Sequence, residues 1–265
     1  MEPLYLPDYF RSIFFALIIF FSPSGSSVEL PLRTEFKEVP TINLGELYAQ
    51  RANVVVVDVR SEYEYGILHI KGAKNIPIAT LGFIPQVKAL RSKTEKTIIF
   101  YCNGITCKKS YKATEAAFQN SIPNVKAFDE GILAWSKKHP DQTNLLGRSP
   151  IDPRKLIHNT EFLNHLLTPE KFVEMLQQNN AIAIDIREPF QREGKEILAR
   201  VTRSVTTNNL KYLLEHHPKN KPLYIYDAVG KQVRWLQYMI EDEGFEKYYF
   251  MKGGVRAYEA SGQGK

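Results

Sequence analysis

The feature that most constrains this chain is a repeated order of apolar runs. Asn53-Val-Val-Val-Val-Asp58 is a short β-branched run that closes on an acid, and Ala181-Ile-Ala-Ile-Asp185 does the same in the second half. A second run, Thr97-Ile-Ile-Phe-Tyr101, is matched by Lys221-Pro-Leu-Tyr-Ile-Tyr226. Asp58 to Cys102 spans 44 positions, and Asp185 to Asp227 spans 42. Runs apolar on both alternations predict strands buried on both faces of a parallel sheet. Further strands are expected at 74–78, 124–128 and 247–251. Helical patterns fall between them at 42–50, 81–90, 110–118, 131–137, 169–176 (with Thr168 as N-cap) and 253–258. Alternating strands and helices predict an α/β chain of two tandem domains, each a central, mostly parallel sheet flanked by helices. The expected boundaries are 36–140 and 166–262, with a linker over 141–165. Pro, Asp, Asn and Gly concentrate between Pro140 and Pro153.

Composition narrows the function classes. A chain of 265 residues, 43% apolar, has material for two real cores and is not a disordered polymer. The net charge of +6 is dispersed without a basic tail, so nucleic acid is not an expected partner and small anions are. Two cysteines cannot build a disulfide scaffold, and no paired Cys/His spacing marks a metal site. At the N-terminus, Ile13-Phe-Phe-Ala-Leu-Ile-Ile-Phe-Phe21 follows Arg11 and precedes Ser22-Pro-Ser-Gly-Ser-Ser27. That is the order of a secretory signal peptide over 1–27, although Glu2 and Asp8 weaken its basic flank. The run falls short of the about 20 residues a bilayer span needs. The expectation is export, to a periplasm, with no stable membrane span after cleavage. An uncleaved membrane-anchoring leader and a buried N-terminal element are the alternatives.

Cys102 ends the run 97–101 and opens the loop Asn103-Gly-Ile-Thr-Cys-Lys108, after which a helical pattern starts. A strand that delivers a thiol to a helix N-terminus surrounds it with unpaired N–H groups, which favour the thiolate. The same placement by itself also suits inert packing. Lys108 and Lys109 oppose the helix dipole by about 0.3–1 kcal/mol each when exposed, which an anion bound in the loop would offset. Simple solvation is the other reading. Asp58 and Arg60 lie at a strand's C-terminal end, where α/β sites form. Pairing of Arg60 with Glu62 or Glu64 is the structural alternative to substrate contact.

Several motifs together resemble the rhodanese family of sulfurtransferases. They are Asp58-Val-Arg60, His69-Ile-Lys-Gly-Ala-Lys-Asn-Ile-Pro77, Tyr101-Cys102 at the head of a loop, and Glu130-Gly-Ile-Leu-Ala-Trp135. The resemblance covers 40–138 well. It covers 168–260 more weakly, through Asp185-Ile-Arg187 and Lys252-Gly-Gly-Val-Arg-Ala-Tyr258. It implies that Cys102 carries sulfane sulfur as a persulfide and that Asn103, Gly104, Ile105, Thr106, Lys108, Lys109 and Arg60 bind the substrate. It also implies that Asp58 and His69 are structural groups near the site, that Trp135 is core, and that no cofactor is needed. The implied donor is a small anion such as thiosulfate, or a persulfide. The implied acceptor is cyanide, a small thiol or a protein thiol.

The chain departs from the family pattern in two places. Familiar tandem members hold the cysteine in the C-terminal copy, whereas here the first copy has Cys102 and the second has Asp227. A carboxylate cannot form a persulfide, and the His-Ile motif is replaced near Glu196-Ile-Leu-Ala-Arg-Val-Thr202, so the second copy is expected to be non-catalytic. The other departure is Cys107, where many single-domain members carry arginine. It is either filler or a resolving thiol that would make the protein depend on a reductant partner. Two further readings stay open. Cys102 and Lys108 have the spacing of cysteine phosphatases and arsenate reductases, although lysine lacks arginine's planar fork. A non-enzymatic sulfur carrier or protein-binding module is the other.

Overall fold

The computed structural model describes residues 30–193, 197–198 and 201–262. The leader expected at 1–27, and Glu196, Ala199 and Arg200 of the stretch expected to replace the His-Ile motif, lie outside the described residues. The first copy runs α1 (Leu44–Ala49), β1 (Val54–Asp58), α2 (Glu62–Ile67), β2 (Leu68–Ile70), β3 (Lys74–Asn75), α3 (Phe83–Arg91), β4 (Thr97–Tyr101), α4 (Lys109–Gln119), β5 (Val125–Phe128) and α5 (Gly131–Lys138). The helix starts are written locally. Asn43 with Glu46 and Ser61 with Glu64 form capping boxes at α1 and α2. The sheet is parallel, in the order β3-β1-β4-β5, and Thr41 adds a parallel bridge to Ala127 on the outer side of β5.

The segment expected as a linker is structured. β6 (Thr143–Leu145) pairs antiparallel with β2, and α6 (Asn159–Asn164) follows. The second copy continues with β7 (Leu166–Leu167), α7 (Pro169–Gln178), β8 (Ala183–Asp185), α8 (Pro189–Arg192), β9 (Thr202–Ser204), α9 (Thr207–His216), β10 (Leu223–Tyr226), α10 (Val233–Asp242), β11 (Tyr248–Met251) and α11 (Gly254–Ala260). Thr168 caps α7, its hydroxyl accepting from Lys171 N at 3.3 Å. The second sheet is also parallel, in the order β7-β11-β10-β8-β9. Strand for strand it repeats the first, with β7 in the place of the Thr41 bridge.

Strand alternation sends side chains to two different cores. Val54, Val56, Ile99 and Tyr101 of the first sheet and Ile184, Leu223 and Ile225 of the second belong to one apolar cluster that joins the copies. Their neighbours Val57, Ile98, Phe100 and Cys102 face a separate cluster with Phe83, Val87 and Ala113. The connecting segment is anchored on the second copy by Ile157 N donating to Tyr238 Oη at 3.2 Å and by the Arg148–Asp242 ion pair. Among the described residues no helix is long and apolar enough to cross a membrane.

Candidate active site

Cys102 follows β4 directly and is 1% exposed. Its loop is held from the side by the start of α5. Ile132 N donates to Cys102 O at 2.9 Å, and Leu133 N donates to Asn103 O at 3.2 Å. That approach needs glycine at 131. Gly131 has φ +67°, and a Cβ there would meet Gly104 N at 2.5 Å and Cys102 O at 2.6 Å. Cys107 N donates to Gly104 O at 2.8 Å, curling the loop back, and Cys102 and Cys107 are joined as a disulfide with Cα atoms 6.4 Å apart. The polar contacts of Cys102 Sγ among the described residues are Cys107 O at 3.2 Å and Ser110 Oγ at 3.9 Å. The loop amides expected around the sulfur are not among them.

Arg60 is fully buried beneath the loop, not at its mouth. Its Nε donates to Asp58 Oδ1 at 2.9 Å, Nη2 bonds Asp58 Oδ2 and Leu68 O, and Nη1 donates to Asn103 Oδ1 at 3.2 Å. Burial opposes its charge, but the Asp58 carboxylate more than offsets this and raises the guanidinium above its ordinary pKa. The guanidinium also lies over the Trp235 ring, 4.9 Å from the centroid. Trp235 belongs to α10 of the other copy. The structure thus places Arg60 inward on Asp58, Leu68 O and Asn103, away from the loop mouth where substrate contact was expected.

The lysines also find protein partners. Lys108 Nζ lies 2.7 Å from Glu35 Oε1, and Lys109 Nζ lies 3.5 Å from Glu64 Oε2. Glu64 accepts from Asn103 Nδ2 at 3.2 Å as well. Burial pushes its carboxyl up, yet Lys109 and Arg60, with the Ser61 N–H and the Asn103 amide, hold it below the usual glutamate value. Ile105 and Thr106 are exposed, while Asn103, Gly104 and Cys107 are half-buried. His69 lies on β2, its Nδ1 2.7 Å from Tyr65 O and its ring stacked on Tyr65 at 4.0 Å. Burial keeps its pKa below the ordinary histidine value. Sequence reasoning gave no site role to Glu64, Ser110 or Trp235. Only Glu64 had a local signal, the Ser61-x-x-Glu64 capping box.

The second copy repeats this architecture with a carboxylate inside. Val255 N donates to Asp227 O at 2.9 Å and Arg256 N to Ala228 O at 3.1 Å, and Gly254 has φ +60°. Asp227 Oδ1 accepts from Val229 N at 2.9 Å and from Gly230 N, and Oδ2 accepts from Gln232 N at 2.6 Å and Val233 N at 3.2 Å. The amide cradle is intact and filled by the chain's own anion. A cleft of about 710 Å³ opens between the copies, lined by Ser61, Tyr63, Arg148, Gln232 and Asp242, and Cys102 is not on its wall. Among the described residues no cluster of His, Cys, Asp or Glu could hold a metal ion.

A cysteine at the C-terminal end of a central parallel strand, on a loop clamped by a helix N-terminus, defines a cysteine-centred α/β domain; the second copy repeats the fold with Asp227 in the cysteine's place. The chain belongs to the rhodanese-like family: the model of the Rhodanese-like domain matches residues 44–138 and 168–261. It is similar to an HTH-type transcriptional regulator of Mycobacterium tuberculosis, 36% identical over 96 residues, which are 36% of this chain and 40% of the regulator. It is similar to a tRNA uridine(34) hydroxylase of Photorhabdus laumondii, 31% identical over 93 residues, which are 34% of this chain and 26% of the hydroxylase. The chain thus spans less than half the length of these curated relatives. Among solved structures, a thiosulfate sulfurtransferase from Pseudomonas aeruginosa aligns with 87% of this chain and 67% of its own, at 14% identity and a TM-score of 0.37. Family membership supports a sulfurtransferase-type role at the level of the family.

Proposed function

We propose that the first copy is a sulfurtransferase that loads sulfane sulfur on Cys102 from thiosulfate or a persulfide and passes it to cyanide or a thiol. The observation that carries this reading is Cys102 at the end of β4, clamped by α5 and lying against Ser110 in the first turn of α4. First-turn amides of a helix lack intrahelical acceptors and favour a thiolate or persulfide anion. The Cys102–Cys107 disulfide must be reduced before the first turnover. The Cys102 thiolate then attacks the outer sulfur of thiosulfate, the S–S bond of the donor breaks, and sulfite leaves with the bonding pair. Cyanide attack on the outer persulfide sulfur gives thiocyanate and regenerates the thiolate. A phosphatase reading asks Lys108 to face the anion, and its ion pair with Glu35 argues against that. Mass spectrometry of reduced protein after thiosulfate tests the proposal: one added sulfur on Cys102 is expected, with none on Cys102→Ser. A serine variant that still makes thiocyanate at a substantial rate overturns it. The proposal includes export, which rests on the apolar run at 13–21 and the small residues after it. A soluble cytoplasmic product still beginning at Met1 would refute that part.

A further inference from the structure

Cys107 has no part in a simple one-thiol transfer, yet the fold sets it against the sulfur-carrying residue. The loop is fixed at both ends, by β4 and α5 on one side and by α4 on the other. The turn between Gly104 and Cys107 brings the two Cα atoms to 6.4 Å, inside the range that a disulfide spans. Burial makes the pair asymmetric. Cys102 is sealed in the apolar cluster with Phe100 and Ala113, whereas Cys107 is half-buried at its margin. Of the two cysteines, Cys107 is the more open to solvent. An internal thiol in bonding reach also turns a bimolecular step into a unimolecular one.

We infer that this site releases sulfane sulfur reductively, with Cys107 as the resolving thiol and a dithiol reductant as the partner. This rests on the sulfur-loading reading above and adds a different fate for the sulfur. The Cys107 thiol gives up its proton and attacks the inner sulfur of the Cys102 persulfide. The Cys102–Cys107 bond forms, the bond to the outer sulfur breaks, and that sulfur leaves as hydrosulfide, HS⁻. The sulfane sulfur gains two electrons, and the two cysteine sulfurs lose them in becoming the disulfide. An external dithiol then attacks the more accessible Cys107 sulfur, Cys102 leaves as thiolate, and a second exchange frees Cys107 and oxidises the dithiol to its own disulfide. The structure holds the oxidised end of this cycle.

The test is a single turnover of the full chain, reduced, freed of reductant, and given thiosulfate with no cyanide. Sulfide is read by a colorimetric trap, free thiols by titration, and adducts by mass spectrometry. One sulfide per chain with loss of both thiols is expected from the wild type. Cys107→Ser and Cys107→Ala are expected to keep the added sulfur on Cys102 and release no sulfide. Variants that load sulfur beside a wild type that also keeps its sulfur and its free Cys107 would overturn the resolving role and leave the transferase reading standing. Failure of wild type and variants alike to load sulfur would overturn both.

Discussion

Replacing Trp235 with leucine removes the aromatic contact that the second copy makes with the Arg60 guanidinium under the cysteine loop. Trp235 is 4% exposed, and Arg60 beneath it is fully buried, so the contact is desolvated. A cation–π pair in that setting is worth about 2 kcal/mol. Truncating a buried tryptophan to alanine costs roughly 3–5 kcal/mol, and leucine keeps part of that bulk, so packing adds on the order of 1–2 kcal/mol. The expected loss for Trp235→Leu is therefore about 3 kcal/mol. Trp235→Phe keeps an aromatic face and is expected to lose about half as much. The change should also reach the site, because Arg60 Nη1 holds the Asn103 side chain at 3.2 Å, next to Cys102. A loosened loop is expected to slow sulfur loading by roughly tenfold or more, since small misplacements at a reacting centre are amplified in rate. Urea unfolding followed by far-UV circular dichroism is the appropriate assay, because the chain has only 2 tryptophans and one is being removed. The reasoning fails if the leucine variant lies within about 0.5 kcal/mol of wild type, a change typical of neutral surface sites. It fails equally if leucine and phenylalanine behave alike.

Gly131→Ala and Gly254→Ala each push a Cβ into loop backbone at positive φ and should each destabilise by about 1–3 kcal/mol, but only the first should impair sulfur loading. Equal loading in both variants would break the link between the α5 clamp and the site. Asp227→Ala strands the amides of Val229, Gly230, Gln232 and Val233 and should cost on the order of 3 kcal/mol in urea unfolding. A loss under about 1 kcal/mol would mean that the cradle does not need its anion. Glu64, with its folded pKa below the unfolded value, contributes stability that is complete above the ordinary glutamate pKa and is lost as pH falls through the depressed one. Acid unfolding curves should therefore rise more steeply with pH in wild type than in Glu64→Gln across that window, and superimposable curves would remove Glu64 from the linkage.

Much of the fold was legible because its signals are local. The β1, β4, β8 and β10 runs are apolar on both alternations and bounded by turn residues, and this holds only for strands covered on both faces. The cap of α7, Thr168, lies next to the helix it starts. The pairing of β2 with β6 was not legible, since each strand is three residues long and the partner lies across the first copy. Val233–Asp242 likewise drew no helix expectation, although it packs Val233, Trp235, Leu236, Tyr238 and Ile240 into the interior.

At the site, the sequence determined the cysteine, its place between strand and helix, the family, and the replacement of the nucleophile by Asp227. These follow from residue identity and short-range order. Only the tertiary structure decided which charges meet. Arg60 turns inward to Asp58 and under Trp235 of the other copy, Lys108 finds Glu35, and Lys109 finds Glu64. The carboxylate of Asp227, read from sequence only as a lost thiol, closes on four backbone N–H groups. A side chain's chemistry is written in the residue, but its partner is set by how distant segments pack. That packing depends on which sheet face is buried against which copy, and no local pattern carries that information.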